Sequence, residues 1–247
     1  MVSPHNRLVL LMFATQVLAV VGVAYYWDPA WLLVSLLGVF LFVSVGLECY
    51  LHRYLTHRSF GVSKPLEVLM HLCGVFALQG PPLLWAANHV SHHKHADRKG
   101  DPHPAANGWK SWFWVDTNTN ATMSPSTVKR LLRDPLCVWS HKHYFKIYLG
   151  GVLASAAIDP RIALYGFLVP AMYSFHAAGF VTVVLHRFGY RNFDTPDQSR
   201  NLLVGALFLG SPFHNNHHAN PGDYNNSTRW YEVDLHALLI RYVLKRL

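Results

Sequence analysis

The chain has 247 residues, of which 51% are hydrophobic and only 14% are charged, whereas ordinary soluble domains contain about 25% charged residues. The formal net charge is +8. Most lysines and arginines lie between and after the long apolar stretches, so their distribution follows a membrane topology and argues against nucleic-acid binding. The three widely spaced cysteines, without a C-x-x-C pair, indicate neither a disulfide framework nor a thiolate metal site.

Two apolar stretches come first along the chain, at 8–26 and 31–51. Each is close to the ~20 residues that a helix needs to cross the hydrocarbon core of a membrane. No small-residue cleavage site follows the first stretch, so we interpret it as a span rather than as a secretory signal peptide. The two stretches therefore predict a transmembrane hairpin that turns at Asp28-Pro29.

A second hairpin is predicted further along, with spans at 144–158 and 162–186 and a turn at Asp159-Pro160. Because basic residues favour the cytoplasmic side, we expect both termini and the large central loop to be cytoplasmic. The sequence thus predicts an all-α membrane protein that forms a single domain over 1–247, with four transmembrane helices in two hairpins. A cytosolic helical cap is expected at 52–143 and 187–247.

Nine of the seventeen histidines are candidate metal ligands. One H-x-x-x-x-H pair and two H-x-x-H-H triplets supply eight of them, and the ninth ends the fourth predicted span. They are His52, His57, His89, His92, His93, His186, His214, His217 and His218. Positions i, i+3 and i+4 share one helix face, so each triplet can direct its imidazoles at a common point.

The first pair has a different spacing. His52 and His57 are five residues apart and would be about 140° apart on an ideal helix of 3.6 residues per turn. We therefore expect the pair to lie at a helix end or to reach two different metals. All nine histidines fall on the cytoplasmic side of the predicted topology.

Imidazole suits iron, copper, zinc and nickel. One ion cannot use nine protein ligands, but two five- or six-coordinate ions can, with positions left for water or oxygen. A histidine-rich metal transporter is an alternative interpretation. Transport sites normally lie within the spans, near the midplane of the membrane, whereas these clusters lie outside the predicted spans.

Three strings of the sequence carry a family resemblance, which extends from about residue 45 to the C-terminus. They are His52-Arg53-Tyr54-Leu55-Thr56-His57, His89-Val90-Ser91-His92-His93 and His214-Asn215-Asn216-His217-His218. They resemble the three histidine boxes of the membrane fatty-acid (acyl-CoA) desaturase family. The resemblance implies four spans under a cytosolic cap and a di-iron centre with two Fe²⁺ ions, whose ligands would be the nine histidines.

The resemblance also implies the reaction, which is O₂-dependent oxidation of a fatty-acyl or related lipid chain, with desaturation as the expected outcome. Hydroxylation, acetylenation and oxidative decarboxylation by the same centre are alternatives. A separate electron donor, a ferredoxin or a cytochrome b5-like protein, is expected. Residues expected to support the ligands are Glu48, Asp97, Asp101 and Thr182, and those expected to line a substrate tunnel are Tyr50, Gln79, Trp85, Ala178 and Gly179.

Several positions depart from the family pattern. Thr182 stands where an asparagine is common, and Ala178-Gly179 stands where a Thr-Trp pair usually lines the tunnel. Tyr50 replaces a glycine, and Ala87 replaces an arginine. The candidate ligands thus match the family while parts of the tunnel and head-group shell do not. Our hypothesis is an unusual substrate, other than an acyl-CoA, or one of the alternative outcomes.

Overall fold

The computed structural model describes residues 4–114, 123–208 and 211–245. Within these ranges every regular element is helical, which confirms the predicted all-α class. The parts of the predicted cap at 115–122, 209–210 and 246–247 lie outside the described residues. The helices are α1 (Pro4–Tyr25), α2 (Pro29–Thr56), α3 (Lys64–Phe76), α4 (Pro82–His95), α5 (Trp109–Trp112), α6 (Pro125–Leu131), α7 (Pro135–Ile158), α8 (Pro160–Val183), α9 (His214–Ala219) and α10 (Leu235–Leu244).

Three helices of the described residues are long and apolar enough to cross a membrane, namely α1 over His5–Tyr25, α2 and α8. Many leucine and valine side chains of α1 and α2 are exposed on the outside of the protein, as a lipid-facing surface requires. The predicted span at 144–158 is the C-terminal part of α7, which has 24 residues and a polar first half. The fourth span and the exact span boundaries stay predictions.

The two hairpin turns lie side by side at one end of the helices. In each turn an aspartate caps the following helix. The Asp28 carboxylate accepts a hydrogen bond from the Ala30 N–H, and the Asp159 carboxylate accepts one from the Arg161 N–H, at 3.0 and 2.8 Å. The hydroxyl of Tyr165 donates to the carbonyl of Tyr26 at 2.8 Å and ties the turns together. The histidine clusters lie at the opposite end of α2 and α8.

The second half of α2, Phe40–Thr56, is wound as a π-helix with i→i+5 hydrogen bonds. The same bonding continues past the end of the helix, where the N–H of His57 donates to the carbonyl of His52 at 3.1 Å. The expected separation of about 140° assumed 3.6 residues per turn. Wider turns bring positions i and i+5 onto one face, so the two imidazole rings are only 5.1 Å apart. The pair lies at a helix end, which confirms the first of the two predictions.

Small residues allow the helices to approach closely. A Cβ atom on Gly46 of α2 would lie 2.5 Å from the backbone of Cys73 in α3, and one on Gly38 would lie 2.4 Å from the Pro170 ring in α8. Close backbone approach of this kind is typical of helix packing in membranes. The cysteines Cys49, Cys73 and Cys137 are free and buried, in keeping with a packing role.

Candidate metal centre

The nine predicted ligands lie together in two adjacent groups. The first group comprises His52, His57, His89, His93 and His217, and the second comprises His92, His186, His214 and His218. Within each group the potential ligand atoms all lie within 4.8 Å of one another. The groups touch, because the rings of His93 and His218 are 4.4 Å apart. The arrangement offers two neighbouring metal positions.

Each H-x-x-H-H triplet is divided between the two groups. On α4, His89 and His93 contribute to the five-histidine group while His92 contributes to the four-histidine group. On α9, His217 contributes to the first group and His214 and His218 to the second. The triplets therefore lie across the boundary between the two metal positions, so that each of these helices serves both.

Four imidazoles have their Nδ1 atoms against carboxylates. The pairs are His52 with Glu48 at 3.3 Å, His92 with Asp101 at 3.0 Å, His186 with Asp97 at 2.7 Å and His218 with Asp197 at 3.0 Å. An ionised carboxylate can only accept a hydrogen bond, so each of these Nδ1 atoms carries the proton. The Nε2 atom of the same ring then presents a lone pair, as a metal ligand requires.

The remaining nitrogens show that the site fits a cation. Nε2 of His52 lies 2.8 Å from Nε2 of His217, and Nε2 of His186 lies 3.0 Å from Nε2 of His214. Within the described residues, the Nε2 atoms of His57 and His218 are buried without a hydrogen-bond partner. Converging buried lone pairs repel one another unless a positive ion lies among them, and imidazole is a ligand that suits iron.

The electrostatics keep three of the nine imidazoles neutral. Burial, together with the neighbouring imidazoles, holds the pKa of His89, His93 and His217 well below its usual value. A neutral imidazole can bind a metal and a protonated one cannot. Burial by itself would raise the pKa of Asp101 and Asp197, but their hydrogen bonds with His92 and His218 lower it below the ordinary value. These carboxylates therefore stay ionised and hold the adjacent ring protons.

Three of the four residues expected to support the ligands contact a candidate ligand, namely Glu48, Asp97 and Asp101. Thr182 instead lines the cavity described below. Sequence reasoning missed Asp197, which holds His218. The i, i+4 spacing on one helix points from Glu48 to His52, but Asp197 is 21 residues from His218 on a different segment, and no local pattern links the two.

A network of amides and a glutamate supports the second histidine triplet, that of α9, on the side away from the metal positions. The buried carboxylate of Glu232 accepts hydrogen bonds from the Tyr190 hydroxyl and from the side-chain amides of Asn192 and Asn216, at 2.7, 2.7 and 2.9 Å. Asn216 lies directly before His217 on α9, and its side-chain Oδ1 atom accepts a hydrogen bond from the side-chain amide of Asn201 at 2.8 Å. The network fixes the position of α9 and so aims its imidazoles.

An apolar cavity of about 720 Å³ opens beside the histidines. Its wall includes histidines of both groups, namely His52, His89, His92 and His214. Of the residues expected to line a tunnel, Gln79, Trp85 and Ala178 form part of this wall. The Trp85 ring stacks on the His89 imidazole, with centroids 4.8 Å apart and planes 13° from parallel.

The other two expected tunnel residues have different surroundings. Tyr50 is buried in the core, and its hydroxyl is 2.7 Å from Nδ1 of His71. Gly179 is covered by an indole ring, because a Cβ atom there would lie 2.7 Å from Trp112 of α5. The angle between consecutive residues of a helix explains why Ala178 and Gly179 have different surroundings. Consecutive residues point about 100° apart on a helix, so Ala178 can face the cavity while Gly179 faces α5.

The chain is similar in sequence to proteins of known function. Residues 26–246 match the family model described as fatty acid desaturase. The chain is 33% identical over 208 residues to an sn-1 stearoyl-lipid 9-desaturase of Anabaena variabilis, covering 82% of this chain and 76% of that protein. It is 31% identical over 245 residues to an sn-2 palmitoyl-lipid 9-desaturase of Nostoc sp. (strain 36), covering 94% and 85%. It is 32% identical over 220 residues to an acyl-CoA 5-desaturase of Anemone leveillei, covering 85% and 67%.

Proposed function

Because the chain belongs to the fatty acid desaturase family, we propose that its nine histidines hold two iron ions and that it desaturates the acyl chain of a membrane glycerolipid. Family membership makes the protein an iron-using oxidoreductase that acts on acyl chains. One observation carries the proposal. The wall of the apolar cavity is shared by histidines of both metal-binding groups, so an acyl chain in the cavity lies against both metal positions.

When bound, two irons with O₂ and two electrons supply the oxidising power toward an unactivated C–H bond that no side chain possesses. The chain's own residues provide placement. Glu48, Asp97, Asp101 and Asp197 orient four imidazoles through their Nδ1 protons. Leu47, Leu84 and Val181 give the cavity an apolar wall that excludes water. All methylenes of an acyl chain are chemically alike, so the reacting position must be selected by the geometry of this wall.

The substrate class follows from the names of the relatives. Two relatives are named for stearoyl or palmitoyl chains in lipids and for position 9, and a third is named for acyl-CoA and position 5. Ala87, which replaces an arginine of the family pattern, is completely buried, whereas the cations Arg7 and Lys142 line the cavity. Ala178 removes bulk from the cavity wall. The two relatives named for lipid-linked chains favour a lipid-linked acyl chain over an acyl-CoA.

We further propose that electrons come from a separate ferredoxin or cytochrome b5-like protein, and that the histidine end and both termini are cytoplasmic. Such donors are usually acidic, and the net charge of +8 favours their approach. A metal transporter is a weaker interpretation. The histidines cluster at the end of α2 and beyond α8 rather than within the spans, whereas transport sites normally lie near the midplane.

The test is mass spectrometry of lipids and acyl thioesters from cells that express the protein or its His217→Ala variant. We expect new monounsaturated glycerolipids with the double bond at position 9 in the first cells only. Hydroxylated, acetylenic or chain-shortened products would replace desaturation as the outcome. Conversion of saturated acyl-CoA to its 9-alkene at full rate by the purified enzyme would contradict the lipid preference. Metal analysis should find two irons per chain, and a single zinc would contradict the di-iron centre.

A further inference from the structure

The C-terminal helix α10 is apolar on two opposite faces. Its inner face, formed by Ala237, Ile240 and Leu244, is buried. Its outer face, defined here as Leu235, Leu238, Tyr242 and Val243, is 51%, 44%, 71% and 68% exposed. Leu235, Leu238 and Tyr242 recur at i, i+3 and i+7 and so share one side of the helix. A helix that is apolar all round is normally covered on every side.

The inner face fixes α10 to the histidine end of α2. Ile240 and Leu244 belong to the same core cluster as Leu51 and Leu55 of α2. Asp234, whose carboxylate caps α10, forms a completely buried ion pair with Arg53, with N and O atoms 3.0 Å apart. Because removing one partner of such a pair leaves an uncompensated buried charge, this attachment holds α10 in place.

The position of α10 relative to the membrane follows from the length of α2. A helix needs about 20 residues to cross the hydrocarbon core. Counted from Trp31, beside the hairpin turn at the far end, the helix leaves the core near Leu51. The π-helical winding of Phe40–Thr56 shortens the rise and moves this boundary toward Leu55. The segment of α2 that α10 contacts therefore lies in the head-group layer.

The chemistry of α10 fits a lipid surface. Arg241 and Lys245 flank the outer face. The Arg241 guanidinium lies 5.3 Å from the centre of the Tyr242 ring, and the Lys245 ammonium lies 5.1 Å from that of Tyr224. Leucine and aromatic side chains with adjacent cations are typical of helices that lie in the membrane interface. We propose that α10 is an interfacial helix, with its outer face inserted in the lipid surface at the histidine end and its cations against anionic head groups.

The contact between α10 and the lipid surface would fix the distance between the cytosolic cap and the bilayer. Asp234 connects α10 to Arg53, the residue that follows His52 on α2. The head-group layer, α10 and the first histidine pair are thereby linked through three neighbouring residues. The inference requires only that α2 spans the membrane, so it does not depend on iron content or on the identity of the acyl substrate.

The test uses single spin labels on the full-length iron-loaded protein in bilayers that contain anionic phospholipid. Leu238→Cys and Tyr242→Cys place the label on the outer face, and Asp194→Cys is the matched control because that side chain is fully exposed on a loop. The three native cysteines are buried, and the unsubstituted protein treated with the same label gives the background. Neither outer-face substitution removes a buried contact, and far-UV circular dichroism, compared with that of the unsubstituted protein, verifies the fold of each variant.

We expect labels at Leu238 and Tyr242 to collide more often with O₂, which dissolves in lipid, than with a water-soluble nickel complex. The Asp194 label should show the opposite preference. The same aqueous accessibility at all three positions would overturn the proposal. Spin–spin broadening at Leu238 or Tyr242 would also overturn it, because it would show that a second copy of the chain covers this face.

Discussion

The five-histidine and four-histidine groups differ in how their imidazoles are held. In the four-histidine group three rings have a carboxylate at Nδ1, namely His92 with Asp101, His186 with Asp97 and His218 with Asp197. In the five-histidine group, within the described residues, only His52 has one, Glu48. The group with fewer imidazoles thus has more carboxylates that orient them. We infer that the five-histidine group gains metal affinity from the number of its ligands, and that the four-histidine group gains it from their fixed orientation.

Removing an imidazole from the five-histidine group should have the largest effect on bound iron. Nε2 of His217 lies 2.8 Å from Nε2 of His52 and 3.0 Å from that of His93, so its ring lies among the other ligands. We expect His217→Ala to reduce desaturation by more than about 100-fold, exceeding the ~10–100-fold effect of losing a supporting partner. Iron per chain and product formation measure the outcome.

The matched control is His143→Ala, a histidine on α7 that belongs to neither group. It should retain iron and activity. If His217→Ala kept both metals, the ligand assignment of the five-histidine group would be wrong.

Removing a carboxylate from the four-histidine group should have the next largest effect. Asp197→Ala frees the Nδ1 proton of His218, and one of only four ligands loses its fixed orientation. We expect iron affinity to fall by ~10–100-fold, measured by competition with a chelator. Asp223→Ala, on an exposed loop, is the control. Unchanged affinity in Asp197→Ala would show that packing alone orients His218.

The corresponding change in the five-histidine group should have a smaller effect. Glu48→Ala removes the partner of His52, but four other imidazoles remain in the group. We expect iron affinity to fall by less than about tenfold, below the usual range for supporting partners. The same chelator competition compares it directly with Asp197→Ala. A larger loss in Glu48→Ala than in Asp197→Ala would reverse the proposed contrast between the groups.

A change in the cavity wall should leave both groups intact. Ala178→Phe adds a ring to the cavity wall at a residue that is not a candidate ligand, and we expect iron content to stay at its original value. Product formation should fall by about tenfold to 100-fold because small displacements of a bound chain strongly reduce reaction rates. Val152→Phe on α7, away from the cavity, serves as the control. Loss of iron in Ala178→Phe would mean that this wall also supports the metal site.

Much of the candidate site was accessible from local spacing. His89 and His93 are four residues apart and share one face of α4, and the same spacing brings His214 and His218 together on α9. Glu48 and His52 follow the same rule on α2. These arrangements depend on the helical repeat alone, so the sequence was sufficient to predict them. The all-α class likewise followed from long apolar stretches without strand patterns.

Other features depend on winding and on segments far apart in the chain. His52 and His57 share one group because α2 is π-helical at that point, a local geometry that the spacing did not reveal. Asp197 reaches His218 only through the folding of the loop after α8. Trp112 covers Gly179 from a different helix, 67 positions away in the sequence. None of these contacts has a periodic signature.

The sequence by itself determined which side chains could act as ligands, and that they would lie at one end of the apolar helices. Residue type and helical repeat are local properties, and they fixed the candidate set of nine histidines. Only the tertiary structure decided the division into five and four, the carboxylate that holds each ring and the cavity that both groups share. Those depend on how α2, α4, α8 and α9 pack together, and packing is a property of contacts between distant parts of the chain.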